Sequence, residues 1–92
     1  MAVTVKIPTP LRKFTADKDA VVVEGSTVGE VIRALDLQAP GIAAKLIDDE
    51  GKVRRFINIY AGEDDIRFLD GLNTAVAGGA EISIIPAIAG GR

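Results

Sequence analysis

One stretch, Thr27 to Leu35, limits what this chain can fold into. Thr27 is a good helix N-cap, and Glu30 three residues later completes a Thr-x-x-Glu capping box. Val28, Val31, Ile32 and Leu35 then fall at i, i+3, i+4 and i+7, a single apolar stripe. Gly29 in the first turn costs up to about 1 kcal/mol relative to alanine, which is tolerable so near the end. The remaining apolar residues alternate with a period of two or come in short β-branched runs. A lone helix with one apolar stripe must lie on something, and strands are what the sequence offers. The expected class is α+β, with one main helix packed across one face of a mixed sheet of four to five strands.

The strands are placed by their patterning. Ala2 to Ile7 alternates Val3, Val5 and Ile7 against Thr4 and Lys6, and Pro8 and Pro10 end it. Leu11 to Lys18 reads as a turn-rich connection to a second strand over Ala20 to Glu24, so the two form a hairpin. Pro40-Gly41 stops the helix, and Ile42 to Leu46 supports one further helical turn. A third strand is expected over Val53 to Tyr60. Both of its faces carry apolar residues, so the pattern does not decide which one is inside. A short fourth strand over Asp65 to Leu69, a turn-sized element over Leu72 to Val76 and a last strand over Glu81 to Ile85 complete the order. The final strand is expected beside the first.

Composition removes most chemistries. The 92 residues make one domain, 48% apolar and 26% charged, without cysteine or histidine. Disulfides, cysteine nucleophiles, imidazole bases and nearly all zinc sites go with them. The acidic run Asp48-Asp49-Glu50 sits beside Gly51 and reads as a solvated turn rather than a metal site. Net charge is −2, and the basic residues are scattered apart from Arg54-Arg55, which is no nucleic-acid footprint. Those two arginines suit acidic groups on a partner or simply solvated strand positions. No run approaches the ~20 apolar residues that cross a bilayer, and the N-terminus lacks a signal-peptide pattern. The expected location is cytoplasmic, with neither nucleic acid nor membrane as partner.

The last residues, Pro86-Ala87-Ile88-Ala89-Gly90-Gly91-Arg92, leave the domain through a proline and reach two glycines. Residues 1–86 are expected to form the domain and 87–92 a flexible tail. Glycine has no Cβ, so such a tail threads a channel too narrow for side chains. Five or six extended residues reach roughly 17–20 Å at about 3.3 Å each, enough to put a carboxylate deep inside another protein.

Four segments together resemble a known family: Arg55-Phe56-Ile57-Asn58-Ile59-Tyr60, Asp64-Asp65-Ile66-Arg67, Gly71-Leu72-Asn73-Thr74-Ala75-Val76, and Ile85-Pro86-Ala87-Ile88-Ala89-Gly90-Gly91. They resemble the ThiS/MoaD family of ubiquitin-like sulfur carriers, and within it the CysO type that supplies sulfur for cysteine synthesis. The likeness spans nearly the whole chain and is weakest over residues 9–20. It implies a β-grasp fold and a non-enzymatic carrier that binds no cofactor of its own. A ubiquitin-activating-type partner, in some cases sulfurtransferase-linked, would use ATP to adenylate the Gly91 carboxylate, which then becomes a thiocarboxylate. A pyridoxal-phosphate cysteine synthase is the implied acceptor enzyme. Gly90, Ala89 and Ile88 would thread the partner, and Phe56, Ile59, Tyr60 and Pro86 are candidates for docking, with core packing the equal alternative.

Arg92 departs from the family pattern, since it holds the Gly91 carboxylate in a peptide bond. The reading adopted is a precursor trimmed by a metalloprotease or carboxypeptidase. An added residue, or a domain that has given up sulfur transfer, remains open. Two other functions share the same activation chemistry: the small subunit of molybdopterin synthase, and a modifier conjugated to lysines.

Overall fold

A computed structural model describes residues 2–86. Four strand pairings build the sheet, and one of them brings the two ends of this stretch together. β1 (Ala2–Lys6) pairs antiparallel with β2 (Ala20–Glu24) and parallel with β5 (Glu81–Pro86). β5 pairs antiparallel with β3 (Ile57–Ala61), which carries the two-residue β4 (Asp64–Asp65) at its far edge. The sheet order is β2-β1-β5-β3-β4, so the last strand sits at the centre beside the first, as expected. α1 (Val28–Gln38) covers one face and is followed by the short α2 (Ile42–Leu46). Among the described residues no helix is long and apolar enough to cross a membrane.

Period-two alternation sends Val3 and Val5 of β1, Ile57 and Ile59 of β3 and Ile82 and Ile84 of β5 to the same face. They meet the α1 stripe of Val28, Val31, Ile32 and Leu35, all buried. Each such aliphatic side chain contributes about 1.5–3 kcal/mol on leaving water. The core therefore lies between one helix and one sheet face.

The capping box forms with a shift. Thr27 Oγ1 accepts from the Glu30 N–H at 3.2 Å, as the pattern requires. The return bond goes one residue further back, with Glu30 Oε1 accepting from the Ser26 N–H at 2.9 Å and the Ser26 hydroxyl at 3.0 Å. Those donors hold the Glu30 carboxyl below the usual carboxylate range, the backbone N–H of Ser26 most of all. Ahead of them, Gly25 packs so close to the helix that a Cβ would stand 2.9 Å from the Val31 nitrogen. At the other end Gly41 takes φ +99°, and Asp36 Oδ1 accepts from the Gly41 and Ala43 N–H groups to start α2.

Two strands are shorter than their patterning suggests. β3 begins at Ile57, not Val53, because residues 47–56 fold back on α2. Val53 forms an isolated bridge with Ile47, Arg54 donates its N–H to Leu46 O, and Ile57 donates to Arg54 O in a turn. The fourth strand ends at Asp65, not Leu69, because the Asp65 carboxylate accepts the Arg67 N–H at 2.9 Å and tightens Ile66–Phe68 into a 3₁₀ turn. The connection after β1 contains a 3₁₀ turn as well, Thr9–Phe14.

The orientation of β3 generates a direct test. Ile59 is 1% exposed and Phe56 55% exposed. Ile59→Ala should cost about 2–5 kcal/mol in urea unfolding, against roughly 0.5 kcal/mol for Phe56→Ala. Equal losses would contradict this placement of the core.

Candidate functional site

The site is the end of β5, whose last residue, Pro86, is followed in sequence by residues 87–92. Pro86 pairs with Ile57, Ile85 with Asn58, Ile84 with Ile59 and Ser83 with Tyr60. On its other side β5 is paired with β1 only over Glu81 to Ser83. Ile84 to Pro86 are therefore held by β3 alone, and grooves open on either side of Pro86. One is lined by Pro8, Thr9, Arg12 and the last residues of β5. The other is lined by Lys45, Lys52, Arg54, Arg55, Phe56 and Ile57.

The candidate docking residues separate in this geometry. Phe56 stands exposed just before β3, with the Arg55 guanidinium 5.7 Å from its ring centroid. Tyr60 is half-buried on the sheet face that α1 leaves open, opposite Ser83 and Asp65. Pro86 is half-buried at the strand end. Ile59 does not belong with them. It pairs with Ile84 inside the core, so it supports β5 from within and presents no surface to a partner. Ile88, Ala89, Gly90, Gly91 and Arg92, and the expectation of a flexible tail, lie outside the described residues.

Two features of the open face escaped the sequence reading. Ile85 is 46% exposed, facing away from the core between its buried neighbour Ile84 and half-buried Pro86. Strict alternation along β5 would have found it. The second is a polar clamp beside Tyr60. Arg67 Nη2 donates to Asp65 Oδ2 at 2.8 Å and also to Asn58 Oδ1, tying the edge of the sheet to β3. The Asp65 side chain is nearly buried, and the Arg67 guanidinium holds its carboxyl below the usual carboxylate range against the opposing pull of burial. Contacts nine residues apart, with β4 between them, leave no periodic trace in sequence. Asp48, by contrast, behaves as its turn-like composition suggests, with Oδ1 accepting from the Glu50 and Lys52 N–H groups.

Known proteins share this arrangement. The ThiS family model matches residues 5–91, a span that includes Gly90 and Gly91 and stops one residue short of Arg92. The chain belongs to the ThiS family. It is 46% identical to the sulfur carrier protein CysO of Mycobacterium tuberculosis, over 99% of this chain and 100% of that protein. The crystal structure of the Amycolatopsis orientalis BexX/CysO complex holds a similar chain, with TM-score 0.91, 44% identity and coverage of 97% of this chain and 99% of that one. Small archaeal modifier protein 3 of Haloferax volcanii is 37% identical over 74% of this chain and 73% of its own length. These ThiS-type neighbours bear out the ubiquitin-like β-grasp fold expected from the sequence.

The clamp sets the acid behaviour of this family member. Asp65 titrates below its unfolded value, so its contribution is present above the unfolded pKa and lost as pH falls through the folded one. Arg67→Ala should destabilise the protein at pH 7, and the gap from wild type should close as pH drops below about 4. NMR titration of the Asp65 carboxyl in the variant should show its pKa rise. A gap independent of pH would contradict the clamp.

Proposed function

We propose that this ThiS-family chain is a sulfur carrier whose Gly91 carboxylate, once freed from Arg92, receives and donates sulfur for cysteine synthesis. The observation that carries the reading is its near full-length identity to the mycobacterial CysO carrier. The fold supports it, because the central strand of the sheet ends at Pro86, only a few residues ahead of Gly90-Gly91 in the sequence. A partner enzyme supplies the catalysis. The Gly91 carboxylate attacks the α-phosphorus of ATP, pyrophosphate leaves, and the acyl adenylate has AMP as a good leaving group. Sulfide from a donor displaces AMP and leaves a thiocarboxylate, a tethered nucleophile whose sulfur an acceptor enzyme can take. The carrier contributes positioning, and Gly90 keeps the chain thin where the partner must enclose it.

The partners in this reading are a ubiquitin-activating-type adenylating enzyme and a pyridoxal-phosphate cysteine synthase. A relative crystallised with BexX supports the idea that a second protein takes up the carrier. The likeness to an archaeal modifier protein favours one further use, conjugation of the same activated Gly91 to lysines.

The test is intact mass. Protein ending at Gly91, incubated with ATP, an activating enzyme of this type and sulfide, should gain the difference between sulfur and oxygen. The chain ending in Arg92 should stay unmodified. Modification of neither form would overturn the carrier reading, and adducts only on lysines would replace it with the modifier.

A further inference from the structure

The two grooves that share Pro86 hold a charge pattern that the carrier chemistry does not require. Their lining includes Lys6, Arg12, Lys45, Lys52, Arg54 and Arg55, six of the eleven basic residues of a chain with net charge −2. Of its thirteen carboxylates only Asp48 lines either groove, and Asp48 is engaged by the Glu50 and Lys52 N–H groups. Lys45, Lys52, Arg54 and Arg55 make no salt bridge among the described residues. The backbone N–H of Lys52 most of all holds the Asp48 carboxyl below the usual carboxylate range, and the Arg54 and Lys52 charges only help at longer range. Lys6 approaches Glu81 only at 3.6 Å, with both side chains about half exposed, a pairing worth little in water. Two guanidinium groups are held in place by the main chain, Arg54 Nε on Ala44 O at 2.7 Å and Arg12 Nε on Ile7 O at 3.1 Å. An acidic protein thus gathers six of its cations around the end of β5, the strand that residues 87–92 follow in sequence.

We propose that these grooves form a cationic collar that seats against an acidic rim around the channel by which a partner protein takes up the tail, an inference that rests on the sulfur-carrier reading above. Whatever accepts residues 87–92 must come up against Pro86, so the collar meets that protein first. Complementary charge there steers the tail to its channel and raises the association rate by about 10 to 10³. A nucleic acid would need a row of cations long enough to follow its phosphates, whereas these flank a chain exit. Phe56, exposed beside Arg55, adds one apolar contact to the charged ring.

The decisive variant reverses Lys45→Glu, Lys52→Glu and Arg55→Glu together. All three are exposed, and the main-chain bonds of Arg54 and Arg12 are left intact, so the melting temperature should hold. In thiocarboxylation by the activating enzyme, kcat/KM for the carrier should fall tenfold or more at low salt, with kcat within about twofold. The gap should close near 1 M salt, where the Debye length is about 3 Å. An unchanged kcat/KM, or a loss carried by kcat alone, overturns the collar. An amide NMR titration of the unmodified chain with hexaglutamate, and separately with a thymidine oligonucleotide, needs no activating enzyme. Shifts confined to the residues lining the two grooves with hexaglutamate support the collar, while scattered shifts or a response to the oligonucleotide alone overturn it. Wild-type protein that is never thiocarboxylated would sink the carrier reading, and the titration would still decide the collar.

Discussion

The pairing of the last strand with the first, at the centre of the sheet, is the constraint on which the rest depends. β5 lies between β1 and β3, parallel to one and antiparallel to the other. A parallel neighbour requires a crossover, and here the crossover is nearly the whole domain, including both helices. The core cannot close until Glu81 to Pro86 are in place. Ile82 and Ile84 then reach Val5 on one side and Ile59 on the other, beneath the α1 stripe. The segment that follows Pro86 is consequently joined to the central strand, held by two neighbours over Glu81 to Ser83 and by β3 alone over Ile84 to Pro86.

One helix can cover only one face, and the uncovered face is handled differently. Thr4, Ser83, Asn58 and Tyr60 occupy it, with the Asp65–Arg67 pair across Asn58. A nearly buried carboxylate is tolerable there because a guanidinium and a backbone N–H both reach it. The edge strand β4, two residues long, is protected from pairing with other chains by its brevity and by the 3₁₀ turn its own aspartate starts. Val22, opposite Thr4, and Ile85 are the exposed aliphatic residues on this face, and Ile85 stands one residue before Pro86.

Much of this was legible in the sequence. The helix, its cap and its buried stripe follow from four residues at helical spacing and one threonine. The hairpin, the central last strand and the family follow from alternation and from the motifs around Asn58, Leu72 and Pro86. What was not legible has a common physical origin. Val53 to Phe56 look like strand because they continue the apolar faces of Ile57 to Tyr60, but Leu46 at the end of α2 and Ile47 just after it capture their backbone first. Leu69 looks like the end of a strand, yet Asp65 bends the chain four residues earlier. Both are contests between local patterning and a single tertiary or capping bond. Ile59 was ambiguous for a related reason: both faces of its strand are partly apolar, and only the register with Ile84 decides which is inside.

The surface around Pro86 is better suited to frequent exchange than to tight residence. Its apolar part is small, Phe56 and Ile85 being the large exposed side chains nearest the exit. Its charged part is broad and solvated, and solvated charge raises association rates more than it slows dissociation. A carrier that must be loaded by one enzyme and unloaded by another gains nothing from a slow off-rate with either. In the proposed reading specificity falls to the one feature that charge cannot imitate, the fit of the Gly-Gly segment in the partner's channel. That division explains why a domain without histidine or cysteine is at no disadvantage as a carrier. In the proposed reading its share of the work is approach and reach, and the reactive chemistry belongs to its partner enzymes.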